Sequence, residues 1–592
     1  MGNKHAGIWT TGRGNQIGGS SPEERNVVSA NYIYGVRIDG PNATDNTVSG
    51  NYVGTDATAA TALWSRSGGV LIVGGANGNV IGGTTPGERN VISGNRNQGV
   101  WIYDSGTVSN VIVGNFIGTD ASGTVSLGNA GNGVQVDAPQ NRIGGATTAE
   151  RNVVSANGGH GVSIGGSWTV SNVVSGNFIG TDVTGTRALG NSGNGLSIFG
   201  GTYNLIGGES VGERNIVSGN KRWGMEINGN GRPNADNGYN RIVGNFIGTD
   251  ISGQVGLGNA GFGIAINFGS HDNLIRANLI SANTGDGITI GEPGASNNVV
   301  VANQIGIQVD GSGMLGNGGV GVAVANGGTR NIIGGDTTGD ANMIAGNRGY
   351  GVLIRDATTR FNTISHNSIW LNTGLGINLT GGANNNILPP RILQVATNLV
   401  AGTAGAGSAV EIFSDTGGQG RNFEGRVVAD ATGNFSFTKP EGFQGSHVTL
   451  TATDTAGNTS EFAVSAPTVF PYEADFESGA GPEWSRRTTD VTPKGGRRFL
   501  GQFGNQTVRL SLTNLPSHNT VTLSFDLFII QTWDGNANAP SVGPDIWSVA
   551  VSGGPTLLRT TFCTDSYYPD QWQAFPDPYP GGKHPIFTGA DE

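Results

Sequence analysis

Two short patterns of apolar and polar positions interleave along roughly the first 380 residues. One is N-x-φ-x-x-N with φ aliphatic, present in twelve copies from NVVSAN (26–31) and NTVSGN (46–51) through NMIAGN (342–347) to NTISHN (362–367). The other is G-φ-x-φ, in thirteen copies that open with a degenerate GIWT at Gly7 and run from Gly35 to Gly376. From Gly35 onward the second pattern returns about every 31 residues. Within each copy the apolar positions alternate: Val36 and Ile38 flank Arg37, and Met225 and Ile227 flank Glu226. A period of two predicts strands, and the dominance of Gly, Asn, Thr and β-branched residues argues against helices. About three short strands per 20–34 residues predict a parallel β-solenoid of about 13 coils, on the order of 60 Å long at about 4.8 Å per coil. An Asn at the same place in successive coils can bond its amide to those above and below, and Asn also tolerates the left-handed turn where a strand changes direction. The aliphatic residue between two such Asn then stacks inside the coil.

Two further repeats fall in the loops. Glu-Arg pairs recur at 24–25, 88–89, 150–151 and 213–214, and G-T-D turns at Asp56, Asp120, Asp182 and Asp250, with Asp310 a looser match. Alternate coils lie about 10 Å apart, too far for two such Asp to share a calcium ion, so an Asx turn closing the loop is the better account.

The pattern fades after Leu379, and Pro389-Pro390 mark a boundary. SAVEIFSD, GRVVAD, GNFSFTK and HVTLTATDTAGNTSEF then alternate as strands with turns every 8–12 residues, which predicts a small β-sandwich over 388–467. From about Tyr472 aromatics become frequent, and VRLSLTNL, TVTLSFDLFII and DIWSVAVSG read as strands of a jelly-roll-like sandwich over 468–592 that falls short of the usual eight strands. The predicted fold class is all-β: a parallel β-helix over 1–387 followed by two β-sandwich modules, the last incomplete.

Composition narrows the function. The chain has 592 residues, 43 acidic against 32 basic side chains and a net charge of −11, so it lacks the cationic footprint of a nucleic-acid binder. A single cysteine, Cys563, excludes an intrachain disulfide framework and a Cys-rich zinc site. No run of 18 apolar residues predicts a membrane span, and no secretion signal follows Met1. The solenoid starts without an evident cap and the chain closes on a loop-like PDPYPGGKHPIFTGADE, which together read as a piece of a longer extracellular or cell-surface protein.

The cycle GNxIGTDxxGTxALGNxGxG…NxIGGTTPGERNVISGN resembles bacterial right-handed parallel β-helix repeat proteins, and TATDTAGNTSEF resembles the bacterial Ig-like modules that follow such solenoids. The first resemblance covers about 5–385 and implies a large extracellular or surface protein. The same scaffold carries pectate lyases, polygalacturonases, uronan epimerases and inert adhesins, so it does not choose an activity.

Candidate chemistry lies where the repeat varies. In alternate coils the residues after the second Asn, with the next outward strand position, form a stripe containing Tyr34, Trp101, His160, Arg222, Trp223, Glu226, Asp286, Arg348 and Tyr350. Aromatic faces stack on sugar rings and polar neighbours bond hydroxyls, so Tyr34, Trp101, Arg222, Trp223, Arg348 and Tyr350 are the candidate carbohydrate contacts, with Trp533 in the last module. An ordinary solvated face is the competing account. His160, Glu226 and Asp286 are the only catalytic candidates. GHGVSIG (159–165) is similar to a polygalacturonase segment, but that family's N-T-D-G, D-D and R-I-K are missing, as is the D-P-H-D of uronan epimerases. Glu226 and Asp286 sit two coils apart, near 10 Å, at the edge of what inverting hydrolysis requires. Asp526, Asp534 and Asp545 are candidates for a structural calcium, with surface turns as the alternative; no other cofactor is expected. The leading expectation is a non-catalytic stalk presenting its modules to an extracellular polysaccharide or cell-surface glycan. The alternatives are a polysaccharide lyase, hydrolase or epimerase working along the stripe, and a structural protein that assembles end to end through uncovered solenoid edges.

Overall fold

In the computed structural model, which describes residues 2–166, 168–229, 237–292, 294–467, 472–492, 495–513, 521–536, 544–564 and 572–589, three long parallel sheets wrap one continuous core. The first sheet has 13 strands, from Ile8–Thr10 to Ile377–Thr380. The second has 12, from Gln16–Gly18 to Thr363–Ser365, and the third 12, from Val27–Val28 to Ser368–Trp370. Each of the first 12 coils contributes one strand to each sheet and a thirteenth contributes only Ile377–Thr380 to the first, so the molecule is a parallel β-helix of about 13 coils. Inward positions stack in unbroken columns. On the second sheet Ile81, Ile112, Ile143, Val174, Ile206 and Ile242 follow one another in register and are all buried.

The Asn residues form three ladders. One runs without a gap from Asn26 through Asn51, Asn90, Asn115, Asn152, Asn177, Asn215, Asn245, Asn278, Asn303 and Asn342 to Asn367, each Nδ2 donating to the next Oδ1. The members alternate between the first and second Asn of successive hexapeptides. The hexapeptide is therefore not one fixed place in the coil: copies such as 26–31 and 90–95 span the third sheet, and copies such as 46–51 and 110–115 span the second. Both sides of the prism need an Asn at each corner and one inward aliphatic, so the same six-residue solution serves both.

The third ladder is interrupted at Ser65, which follows Asn31 and precedes Asn95. Its hydroxyl is buried and has no hydrogen-bond partner among the described residues. Ser65→Asn restores the rung and is expected to raise the stability of the solenoid by about 1 kcal/mol, read as a higher denaturant midpoint at unchanged slope.

The loop repeats also have structural roles. Glu88 Oε2 accepts the amides of Thr84 and Thr85, closing a short turn at Pro86–Glu88, while the Arg89 guanidinium lies 4.2 Å over the Phe116 ring of the next coil. Arg25, Arg151 and Arg214 cover Tyr52, Phe178 and Phe246 in the same way. In the G-T-D turns Asp120 Oδ1 accepts the amides of Thr124 and Val125, the Asx-type closure expected.

The Ig-like module is a pair of antiparallel sheets. Arg391–Ala396, Leu399–Thr403 and Asn434–Thr438 form one; Asn422–Val428, Ala409–Asp415, His447–Thr453 and Ala466–Pro467 form the other, around Val400, Val410, Ile412, Phe435 and Leu450. It lies over the last coil and replaces the neighbour that coil lacks. Phe462 packs on the solenoid core. Thr459 Oγ1 accepts from Ile364 N, Glu461 Oε1 from Leu379 N, and Gln419 Oε1 from Asn372 N. The C-terminal end of the solenoid is thus covered by the module.

Residues 1–470 form one compact unit and 471–592 another. The expected module boundary falls at 467/468, and residues 468–471 of the linker expected over 468–472 lie outside the described residues. The second unit contains two antiparallel ribbons among its described residues, Thr489–Val491 with Arg498–Leu500 and Ile546–Ala550 with Thr556–Thr561. The described parts of VRLSLTNL and TVTLSFDLFII, expected as strands, form none: the first pairs only through an isolated antiparallel bridge of Leu510 with Trp484, and Val521, Leu523 and Phe525 of the second are exposed.

Candidate functional site

The outward face of the first sheet and the turn before it carry the residues that depart from the repeat. Outward positions align as Trp101, Gln135, Ser163, Ser197, Glu226, Ala265 and Thr289 along successive coils. One turn position before each strand holds Gln98, Asn132, His160, Asn194, Trp223, Phe262 and Asp286 in the same order. Every coil contributes, not every second one, so the predicted stripe is filled in by Asn132, Asn194 and Phe262.

His160, Asn194, Ser197 and Glu226 form one hydrogen-bonded network. The Asn194 amide N–H donates to His160 Nδ1 at 3.0 Å, with Ser197 Oγ 3.3 Å from the same nitrogen. The Asn194 side-chain amide donates to Ser197 Oγ at 3.0 Å and to Glu226 Oε2 at 2.8 Å. Asn228 Nδ2 completes the carboxylate at 2.9 Å from Oε1. Glu226 is 6% exposed and has amides as its donors; among the described residues no cation is paired to it. Burial, with the Arg222 charge second, lowers the His160 pKa, so the ring is neutral at neutral pH. The backbone donor at Nδ1 then places its proton on Nε2.

Aromatics flank this network. Trp223 stacks on Phe262 at 5.6 Å with Arg222 5.2 Å from its ring, and His160 lies 5.8 Å from Phe199. The Trp223 ring lies over Gly261, where a Cβ would stand 2.3 Å from Cδ1. On the other side, Asp137 accepts from Trp101 Nε1 at 2.8 Å and from Gln135 Nε2, and burial raises its pKa against those two bonds.

The remaining candidates divide. Asp286 is tied into the fold, accepting from Val320 N at 2.7 Å and from Thr289 Oγ1 at 3.1 Å, and both bonds lead away from Glu226. Tyr34 is buried with its ring against Gly68, so it offers no face to a sugar; burial raises its pKa. Arg348 is exposed and Tyr350 half-buried over Gly374, two coils beyond Asp286. In the last module Trp533 is half-buried, edge-on to Phe562 at 6.1 Å, with its indole N–H bonded to Ile530 O. Asp545 Oδ2 accepts the Asp534 amide, but Asp526 pairs with Arg497 at 3.1 Å. The three do not gather as ligands, and no group of three His, Cys, Asp or Glu suited to a metal occurs among the described residues. Asn132, Asp137, Asn194 and Phe262 were missed by the sequence reading. Aligning the turn position in every coil, rather than in alternate coils, finds three of them.

Among the described residues no helix is long and apolar enough to cross a membrane. No curated protein matches the sequence. A family model described as a bacterial Ig domain matches residues 389–467. Among solved structures, the mannuronan C-5 epimerase AlgE6 A-module of Azotobacter vinelandii is 13% identical, with 63% of this chain and 87% of that one covered and a TM-score of 0.37. The periplasmic alginate epimerase AlgG is 15% identical, with 58% and 74% covered and a TM-score of 0.27. Tailspike protein 2 of Escherichia coli O157:H7 bacteriophage CAB120 is 12% identical, with 76% and 64% covered and a TM-score of 0.26. These are likenesses of fold: the chain is a parallel β-helix protein carrying a bacterial Ig-like module.

Proposed function

We propose that this chain is an extracellular polysaccharide-binding protein that lays its ligand along the outward face of the first sheet. The observation that carries this reading is the Trp223–Phe262 stack set beside the Glu226–Asn194–His160 network on consecutive coils. An aromatic face next to fixed hydrogen-bonding groups is the composition of a sugar site, and a face that repeats every 4.8 Å or so suits a polymer. The acidic net charge supports a soluble, non-adhesive surface away from that face.

A second reading, catalysis on the same polymer, is favoured by one feature. His160 is held neutral with Nδ1 occupied, and the buried Glu226 carboxylate, held by the Asn194 and Asn228 amides, lies beyond the intervening Asn194. That pairing supplies a proton-transfer group and a charge able to steady it. The test is incubation with uronic-acid and neutral polysaccharides, following retention and product formation together. Binding alone predicts retention without new chain ends, weakened about tenfold in Trp223→Ala, the loss of one stacked ring. New reducing ends or unsaturated uronates that vanish in His160→Ala and Glu226→Gln would replace the binding reading with the catalytic one. Absence of retention on every polymer would sink both.

A further inference from the structure

We propose that His366 and Glu411 form a pH-responsive clasp that fastens the Ig-like module onto the last coil of the solenoid. His366 occupies a corner where earlier coils have Gly50, Gly114, Gly176 and Gly244, all with positive φ, and it keeps the left-handed backbone at φ +59°. A side chain introduced at a glycine corner needs compensation, and here the module provides it. Glu411, on the module's strand Ala409–Asp415, reaches into the corner. Its Oε2 accepts the His366 amide at 3.0 Å, and its Oε1 lies 3.1 Å from His366 Nδ1 and accepts from Ser365 Oγ at 2.5 Å. The side chains are 8% and 3% exposed.

The surroundings contain few other charges. Strand Asn422–Val428 brings the Phe423 ring to 4.2 Å from the imidazole and carries Arg426, whose positive charge opposes protonation. Arg426 is itself 3.4 Å from Asp336, in the turn that also offers the Gly335 carbonyl. Glu424 on that strand is engaged by Lys439, and Asp415 by the amides of 417–421. Glu411 is therefore the anion that His366 meets. The Glu411 hydrogen bond, against desolvation, raises the His366 pKa. A histidine pKa raised on docking means the attraction is complete below the ordinary histidine value near 6.5 and is lost as pH rises through the higher docked value. The buried carboxylate then keeps its hydrogen bonds and loses its counter-charge. The module is held tightly in mild acid and more loosely in base.

Amide hydrogen exchange on the full chain, corrected for intrinsic rates, reads this directly. The amides of Ile364, His366 and Leu379, which donate to the module, should lose protection at least fivefold between pH 6 and pH 9, while Val173 and Leu205 in the middle of the solenoid do not. His366→Asn keeps a residue suited to positive φ and should abolish the difference. Glu411→Gln, which keeps an acceptor for Ser365 and removes the charge, should do the same and serves if the first variant fails to fold. Equal protection at both pH values in the wild type, or an undiminished pH effect in either variant, would overturn the clasp.

Discussion

Gly144→Ala should lower the stability of the solenoid by about 4 kcal/mol or more. Gly144 has φ +81°, and a Cβ there would stand 2.0 Å from the Ser175 carbonyl oxygen of the next coil and 2.5 Å from Asn177 Oδ1. Neither atom can retreat, because the carbonyl is in the stacked backbone and Asn177 is a ladder rung. The substitution therefore adds a backbone penalty of about 1–2 kcal/mol for the left-handed conformation to a steric conflict that is relieved only by separating two coils. Gly40→Ala separates the two contributions. Gly40 has φ +94° with nothing within 4 Å of the added methyl, so it should lose about 1 kcal/mol. Chemical denaturation followed by far-ultraviolet circular dichroism measures both. Equal losses would show that the coils can part at Gly144 without penalty, against the rigid stacking described above.

Asn177→Ala is expected to lose about 3–5 kcal/mol. Asn177 Nδ2 donates to Ile143 O, Ser175 O and Asn215 Oδ1, and Oδ1 accepts both the amide and the side chain of Asn152. The site is fully buried, so deletion leaves donors and acceptors on three coils with no water to replace the amide. Because each coil touches only its neighbours, the loss should be local: exchange protection falls most in the coils around 143–215 and least at Val36 or Ile354. Uniform loss along the whole solenoid would mean that the coils unfold as one unit.

The sequence makes the solenoid readable because its constraints repeat. An inward aliphatic such as Ile112 and a corner Asn such as Asn115 are demanded again in every coil, so pattern alone reveals the strands, the ladders and the number of coils. Two things escape such a reading. The hexapeptide serves two sides of the prism, and nothing within its six residues says which; only the flanking IGG or GTD loop does. The candidate site is built from residues that break the pattern, and Asn194 hides among repeat asparagines three positions after the true rung Asn191. Tyr34 and Asp286 fit the stripe by position, yet are engaged in packing and backbone bonds that only three-dimensional neighbours determine. His366 was legible in principle, since NTISHN carries His where the other even copies carry Gly or Ala.

The ladders also have a direction. From Asn26 to Asn342 each rung of the first ladder gives one Nδ2 hydrogen to the Oδ1 of the next rung toward the C-terminus, while rungs such as Asn51, Asn152 and Asn342 return the other to a backbone carbonyl of a preceding coil. The ladder therefore has a polarity that ends within the solenoid: at its last rung, Asn367, the Nδ2 group turns back to Ile333 O and Ser365 O. The module meets the last coil with acceptors for its backbone amides, the carboxylates of Glu411 and Glu461 and the amide oxygen of Gln419, and with donors for its carbonyls, the Gln419 side-chain amide to Asn372 O and Gly374 O and the Thr459 amide to Asn362 O. An element that closes such a solenoid must therefore match an edge that offers hydrogens and oxygens in turn, as this module does by setting carboxylates against amides and side-chain and backbone N–H groups against carbonyls.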